Sequence, residues 1–541
     1  MNGLFGKPLN VQVAILAQNN LLDKMYDSIG KDGTKDAVMV ALDITRQMNM
    51  KPQIIQRKKD LEKCRYWRNK ANSETSGRAI KCYNGSLLYT PITHSKELIS
   101  TYRKRAELLF KLEEGSCCMN DIDIITAMGC PPDKNINMLR QHSQQLIPLD
   151  QLDTMTFPYF QFPAKRNKSI PYANANISIV REDGVPKVVA ARNIRIGELV
   201  AIEPAFVAVH HKTNRNISCY NCFKFTPSLI PCETCCYAMF CTEACRKQCL
   251  EGYHKIECQI MDVLENVATT ARRRLSVMAA LKIRQMSKSW EDVVTASRTI
   301  GTERMKNSSD DEIFDCNNPH SILSYNDYQF LIHGKIFNQS FIFATVIDSL
   351  SDIPDYFPTD EDEQLEAMHA LGRIMLHLYV TFPLEIEIQN WQRNCISGFT
   401  NIYTNPHIGF FLFTSKLKHS CEPNLLEIGL NNKVGLVAIR PIKKGTELNI
   451  NHRCPPGVKN DELLKNFFIN NEFRCHCSQT ARDESIPREI KFNNKQVRIY
   501  RRWENNVCKY AVSTLEQVYS REHWFCNRYD QPTATSTCEY K

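Results

Sequence analysis

Between Cys219 and Cys258 the chain carries nine of its 23 cysteines, and no other stretch constrains the fold as tightly. Written out, the segment is Cys219-Tyr-Asn-Cys222, Cys232-Glu-Thr-Cys235, Cys241-Thr-Glu-Ala-Cys245 and His254-Lys-Ile-Glu-Cys258. Four short pairs supply eight soft or borderline donors, enough for two tetrahedral Zn2+ sites. Two donors a few residues apart chelate one ion with little loop strain. So short a segment cannot bury an adequate core, and metal would supply its folding free energy directly. Cysteines that merely crowd one core do not fall into four chelating pairs. Spacing leaves open whether successive or alternate pairs share an ion. Cys236 and Cys249 are left over and are expected to pack as small apolar residues.

The 541 residues exceed what one core can organise, and 43% apolar with 23% charged residues suits several globular domains. No apolar run approaches the ~18–20 residues that span a bilayer. The patch Val13–Ala17 lacks the pattern of a secretory signal. An intracellular protein with reduced thiols is expected, and no membrane partner. Sixty-eight Lys and Arg against 59 Asp and Glu leave a formal charge of +9, spread along the chain. Arg272-Arg-Arg274 and Lys282-Ile-Arg284 fall at helical spacing with Leu275, Met278 and Leu281, which predicts a solvated helix face rather than a DNA contact. The acidic stretch from Asp352 to Glu366 contains no Lys or Arg and reads as a solvated loop.

Short β-type segments flank the cysteine cluster. Val188–Pro204 reads as two strands with a turn at Gly197. Far downstream come Phe410–Phe413, then Lys418-His-Ser-Cys-Glu-Pro-Asn424, a strand over Val434–Ile439, a turn over Pro441–Gly445 and a strand over Leu448–Asn451. The cluster is thus an insertion in a small, irregular β domain. Residues 259–395 are mostly helix-like, as in Ser324–Leu350. In the N-terminal third, Cys64–Leu88 and Leu98–Met128 repeat apolar residues at helical spacing, including Leu98, Tyr102, Ala106, Leu109, Cys118, Ile122 and Ile125, and Pro131 and Pro132 stop the last helix. Two hairpins of this size predict a tetratricopeptide-like pair, with an ordinary helical cap as the alternative.

The cysteine spacing, with Phe240 before the third pair and the His-x3-Cys ending, resembles the MYND zinc finger. That resemblance implies alternate pairing: Cys219, Cys222, Cys241 and Cys245 on one ion, Cys232, Cys235, His254 and Cys258 on the other. A MYND finger inside a β domain resembles the SET-and-MYND family of protein-lysine methyltransferases, whose SET domain is split. Lys418–Asn424 is similar to that family's Asn-His-Ser-Cys-x-Pro-Asn signature, Gly445–His452 to its Gly-Glu-Glu-Leu-x-Ile-x-Tyr segment, and Phe473-Arg-Cys-His-Cys477 to the start of its post-SET zinc loop. The branch with N-terminal tetratricopeptide repeats has the same domain order. The implied architecture is an α+β multidomain chain: helical repeats at 1–150, the first SET part at 170–218, the finger at 219–258, a helical insert at 259–395, the SET core at 396–455, a post-SET-like segment at 456–480 and a helical tail at 481–541. The family's finger recognises proteins. Protein partners through the finger and the repeats are therefore implied, with a histone deacetylase or chromatin factors among the classes, and residence in nucleus and cytoplasm.

The family's S-adenosyl-L-methionine site is less well kept. Ser415, Lys418, His419 and Phe473 fall at cofactor-facing positions, and His452 takes the place of the tyrosine that aims a hydroxyl at the reacting amine. Imidazole is shorter and charges near neutral pH. Lys418 replaces an asparagine, so a donor-only cation stands where an amide would accept. Unless it turns to solvent it would face the cofactor's ammonium, and like charges ~4 Å apart cost on the order of a few kcal/mol. No asparagine counterpart lies between His377 and Glu387, the glycine-rich opening is reduced to Gly184, and Asn471 replaces an aromatic. A third, post-SET zinc would take Cys421, Cys475 and Cys477, but Thr480 stands where the fourth cysteine belongs. The expectation is a retained SET frame with an eroded cofactor site.

Overall fold

Apolar spacing in the N-terminal third produces paired helices, as that spacing predicts. The computed structural model describes residues 9–29, 36–131, 133–145, 165–182, 185–300, 315, 318–323, 333–381, 386–388, 407–420 and 423–451. Helices α1 (Leu9–Gln18), α2 (Leu22–Ile29) and α3 (Ala37–Gln47) come first, followed by α4 (Leu61–Ser73), α5 (Ser76–Tyr89), α6 (Ser95–Lys111), α7 (Gly115–Ala127) and α8 (Lys134–Ser143). Strands β1 (Ile177–Glu182), β2 (Val185–Ala190), β3 (Leu199–Pro204) and β4 (Val207–Val209) follow. The cysteine-rich segment holds β5 (Ile230–Pro231), β6 (Met239–Phe240), α9 (Glu243–Glu251) and the start of α10 (His254–Asn266). Beyond it lie α11 (Ala271–Met286), α12 (Trp290–Arg298), α13 (Pro319–Leu323), α14 (His333–Ser351) and α15 (Glu361–Thr381). The order closes with β7 (Ile386–Ile388), β8 (His407–Phe410), α16 (Leu412–Ser415), β9 (Lys418–His419), β10 (Leu425–Leu430), β11 (Lys433–Ala438) and β12 (Asn449–Ile450).

The chain divides into two compact units. The first takes in residues 1–150, 204–415 and 429–434. Its larger core joins α1–α3 to the later helices, with Met25, Leu42 and Ile44 buried beside Phe337, Phe341, Leu371 and Met375. A Cβ at Gly372 would stand 2.9 Å from Val38 Cγ1, so α15 meets α3 at a distance that only a missing side chain permits. Residues 9–47 thus pack with the helical region at 333–381, which the sequence does not suggest.

A second core in this unit unites α5–α8 with the cysteine-rich segment. Leu98, Tyr102, Ala106 and Leu109 of α6 and Cys118, Ile122 and Ile125 of α7 are buried with Ile217, Phe225, Leu229 and Met239. At its centre Arg105, fully buried, donates Nε to Asp121 Oδ2 at 2.8 Å and Nη2 to Asp121 Oδ1 at 2.6 Å. Its Nη1 donates to Leu229 O at 2.9 Å and to Asn84 Oδ1. Ser228 Oγ donates to Asp121 Oδ1 at 2.8 Å, and Asn84 Nδ2 donates to Asn216 O at 2.8 Å. Three helices therefore hold the backbone that leads into Cys232 through hydrogen bonds to charged groups, the stronger kind in a dry interior.

The second unit comprises residues 151–203, 416–428 and 435–541, and its described part is β-rich. β1 pairs antiparallel with β2, Ile177 opposite Ala190. β9 pairs parallel with β12, Lys418 opposite Asn449 and His419 opposite Ile450. The turns expected at Gly197 and Gly445 carry φ of 79° and 83°, which glycine adopts without a Cβ penalty. β2 does not form a hairpin with β3. Its partner is β1, and β3 instead joins the sheet ordered β10-β11-β3.

Two expectations are corrected. The acidic stretch is a loop only to Asp360, which caps α15 by accepting from Glu363 N at 3.0 Å; Glu361, Asp362 and Glu363 then sit in the first helical turn, where the helix dipole favours anions. The basic residues of α11 do not make a solvated face. Arg274 is buried, Arg273 Nε donates to Gln339 Oε1 at 2.8 Å, Lys282 Nζ donates to Phe206 O at 2.7 Å, and Arg284 stacks over Trp290.

Arg105→Met should destabilise the first unit by about 3–5 kcal/mol, because it leaves the Asp121 carboxylate buried without its partner. Arg105→Met with Asp121→Leu should recover most of that loss. Urea unfolding of both variants tests this, and equal losses in the two would show that the buried pair is not the source.

Candidate metal centre and SET segments

The eight donors singled out in sequence converge into two groups of four. Cys219, Cys222, Cys241 and Cys245 form one, and Cys232, Cys235, His254 and Cys258 the other, with all donor atoms in each within 4.8 Å of one another. Alternate pairs therefore meet, the arrangement that the resemblance implies and spacing left open. The separations carry metal geometry. Four ligands at Zn–S distances of about 2.3 Å put neighbouring sulfurs roughly 3.8 Å apart, and sulfur and imidazole nitrogen about 3.6 Å apart. Cys232 and Cys258 sulfurs are 3.8 Å apart, Cys222 and Cys241 3.6 Å, Cys241 and Cys245 3.5 Å, and Cys235 Sγ lies 3.6 Å from His254 Nε2. These donor sets fit zinc, and full ligation leaves no open position for catalysis by the metal.

Local structure explains how the donors meet. β5 and β6 pair antiparallel, Ile230 opposite Phe240, which brings Cys232 back beside residues 239–241. Thr242 caps α9 by accepting from Cys245 N at 3.1 Å, setting the helix that presents Cys245. On α10, His254 and Glu257 lie one turn apart and are fully buried. Glu257 Oε2 is 3.1 Å from His254 Nδ1, which fixes the tautomer with Nε2 toward the sulfurs. Tyr220 donates its hydroxyl to Glu257 Oε1 at 2.8 Å. Thr234 Oγ1 lies 2.9 Å from Cys258 Sγ. Glu257 and Tyr220 escaped the reading of the sequence, although a carboxylate at the third position after a ligand histidine on a helix is a legible signal. Burial pushes the Cys236 thiol up to about 11 and the Cys249 thiol up to about 12, so both leftovers stay protonated and pack as apolar groups.

The SET-like residues divide between the units. Ser415 ends the first unit at the C-terminus of α16, buried, with an Oγ that has no partner among the described residues. Lys418 and His419 belong to the second. Lys418 is 63% exposed and its Nζ lies 3.4 Å from Glu447 Oε2, so its charge is neutralised at the surface and is not directed inward. Asn424 braces the parallel crossing of β9 and β12: Asn424 N donates to Asn449 Oδ1 at 2.9 Å and Asn449 N to Asn424 Oδ1 at 2.9 Å. Ser420 N donates to Ile450 O at 2.9 Å. Together these bonds account for the role of the Lys418–Asn424 motif as a structural crossing. His452, Phe473, Cys421, Cys475 and Cys477, with Gly184, Asn471, Thr480 and the tail, lie outside the described residues.

A SET-domain family profile matches residues 187–453, a span that contains the cysteine-rich segment. A SET and MYND domain-containing protein of Dictyostelium discoideum is 22% identical over 330 residues, covering 55% of this chain and 79% of that protein. Protein-lysine N-methyltransferase SMYD4 of Pongo abelii is 24% identical over 282 residues, covering 38% of this chain and 35% of that protein. N-lysine methyltransferase SMYD2-A of Xenopus laevis is 22% identical over 342 residues, 62% of this chain and 67% of that protein. The class of molecule is a mixed helical and sheet protein with N-terminal helices and a SET domain around cysteine clusters that could hold zinc. The chain belongs to the SET-and-MYND family. No helix among the described residues is long and apolar enough to cross a membrane.

Glu257→Gln should weaken zinc retention at the group containing His254 by about 10–100-fold while leaving the four-cysteine group intact. Competition with a graded chelator, read as zinc released per chain, separates the two donor groups. Simultaneous loss of both would show that Glu257 acts on the fold rather than on His254.

Proposed function

We propose that this chain is a zinc-dependent protein-interaction adaptor of its family, of the transcriptional co-repressor kind, with an eroded S-adenosyl-L-methionine site. Two Zn2+ ions would be held by the two four-donor groups, forming a MYND finger, and the N-terminal helical hairpins would serve as repeats beside it. Donor spacing that matches tetrahedral zinc, with Glu257 orienting His254, carries this reading. Sequence substitutions support its second half: His452 at the tyrosine position and Thr480 at a zinc-ligand position. A third, post-SET zinc would then be missing a ligand. The partners would be proteins, a histone deacetylase or chromatin factors among them, met in nucleus or cytoplasm; membrane and direct DNA contact play no part.

An active protein-lysine N-methyltransferase is the second reading. The Lys418–Glu447 pair favours it, since a lysine held at the surface does not oppose a sulfonium cofactor, and so does the Ser415 hydroxyl, which has no partner among the described residues. Bound S-adenosyl-L-methionine would supply the methyl group. Ser415, Lys418, His419 and Phe473 are the positions that would border it, and His452 would have to orient the acceptor amine.

Calorimetric titration of zinc-loaded protein with S-adenosyl-L-methionine and S-adenosylhomocysteine separates the readings. The adaptor reading expects no heat up to millimolar ligand, and micromolar binding would overturn the erosion. For the interaction half, Cys232→Ser with Cys235→Ser should abolish binding to the protein partners that the wild-type chain captures. A folded double variant that still binds them would remove the finger from the interface.

A further inference from the structure

A cavity of about 120 Å3 lies in the first unit beside the cysteine-rich segment and is used by neither reading above. For scale, a dry cavity of roughly 150 Å3 admits benzene, so the space suits one small molecule. Its lining mixes charge with aliphatic surface. Lys212, Arg215 and Arg274 face it against the single carboxylate of Glu265. Arg215 and Arg274 both bind the same oxygen, Glu265 Oε1, and Arg274 also stands 3.8 Å from Glu257. One acceptor atom is shared by two guanidinium groups, and among the described residues Arg274 Nε and His210 Nε2 are buried without a partner. His210 and His211 are held below the usual imidazole range, chiefly by burial, and add no charge at neutral pH. Ala271, the first residue of α11, also lines the space, which places it at the positive end of a 16-residue helix. Leu264, Ala268 and Ile408 complete the wall with aliphatic groups.

We propose that this cavity is a binding site for a compact carboxylate with a short apolar body. The anionic end would meet Arg215 and Lys212. The apolar end would displace poorly held water from Leu264, Ala268 and Ile408. A bare hydrated anion would satisfy the first set of groups but not the second. Bound there, the ligand would bridge residues 209–215, just before Cys219, to α10 and α11. The proposal stands independently of methyl transfer.

Sodium butyrate is the probe, with sodium phosphate and sodium chloride at matched ionic strength, on full-length zinc-loaded protein. Calorimetry and thermal unfolding should show saturable butyrate binding that neither control reproduces. Arg215→Gln should weaken it about tenfold or more, the effect of losing a charge-assisted contact. Ala271→Leu places a larger side chain in the cavity from a half-exposed position; it should abolish binding with zinc content and circular dichroism unchanged. Butyrate stabilisation no greater than that of chloride would overturn the site, as would wild-type affinity in Ala271→Leu. Phosphate binding as tightly as butyrate would overturn the carboxylate assignment.

Discussion

The buried guanidinium of Arg105 is the interaction on which the first unit depends. It binds Asp121 through two donors and Leu229 through a third, so that α6, α7 and the strand entering Cys232 share one charge cluster. Zinc would close two small tetrahedra, and Tyr220, Tyr237 and Phe240 bury in the larger core of the same unit. With Arg105 in place, the backbone between Asn216 and Pro231 is fixed to the helices, and the first cysteine of each donor group is positioned from outside the metal site. Metal binding and helix packing then become parts of one cooperative event, in which a metal's binding energy is also folding energy.

The SET-like portion follows a different logic. Its motif survives as a brace: Asn424 and Asn449 exchange backbone donors, and β9 runs parallel to β12. These requirements are geometric, satisfied by residues such as Asn424 whose replacement would leave buried donors unpaired. Lys418, exposed and paired with Glu447, is a substitution that the crossing tolerates because its side chain leaves the strand toward water. Structural demand therefore accounts for Asn424, whose side chain holds the crossing, and places none on the side chain of Lys418.

Much of this was legible in the sequence. The cysteine ligands announce themselves because metal chelation demands short spacing, and the α6 and α7 faces because helical burial demands a 3.6-residue period. The turns at Gly197 and Gly445 were visible because a positive φ favours glycine. What stayed hidden depends on long-range partners. Arg105 and Asp121 look like any helix-surface charges until Leu229 and Asn84 close around them. The basic run of α11 reads as solvated for the same reason, since Glu265 and Gln339 are remote or unremarkable in sequence. Residues 9–47 pack on α14 and α15 through a contact that Gly372 permits, and no local pattern encodes it.

Hydrogen exchange read by mass spectrometry, with and without zinc, tests the central claim that the cysteine-rich segment and the helical hairpins form one cooperative piece. Stripping the metal should remove protection from residues 219–258 and also from α6 and α7 around Arg105 and Asp121. Unchanged protection in α6 and α7 after complete zinc removal would contradict it, and the finger would then be an independent module.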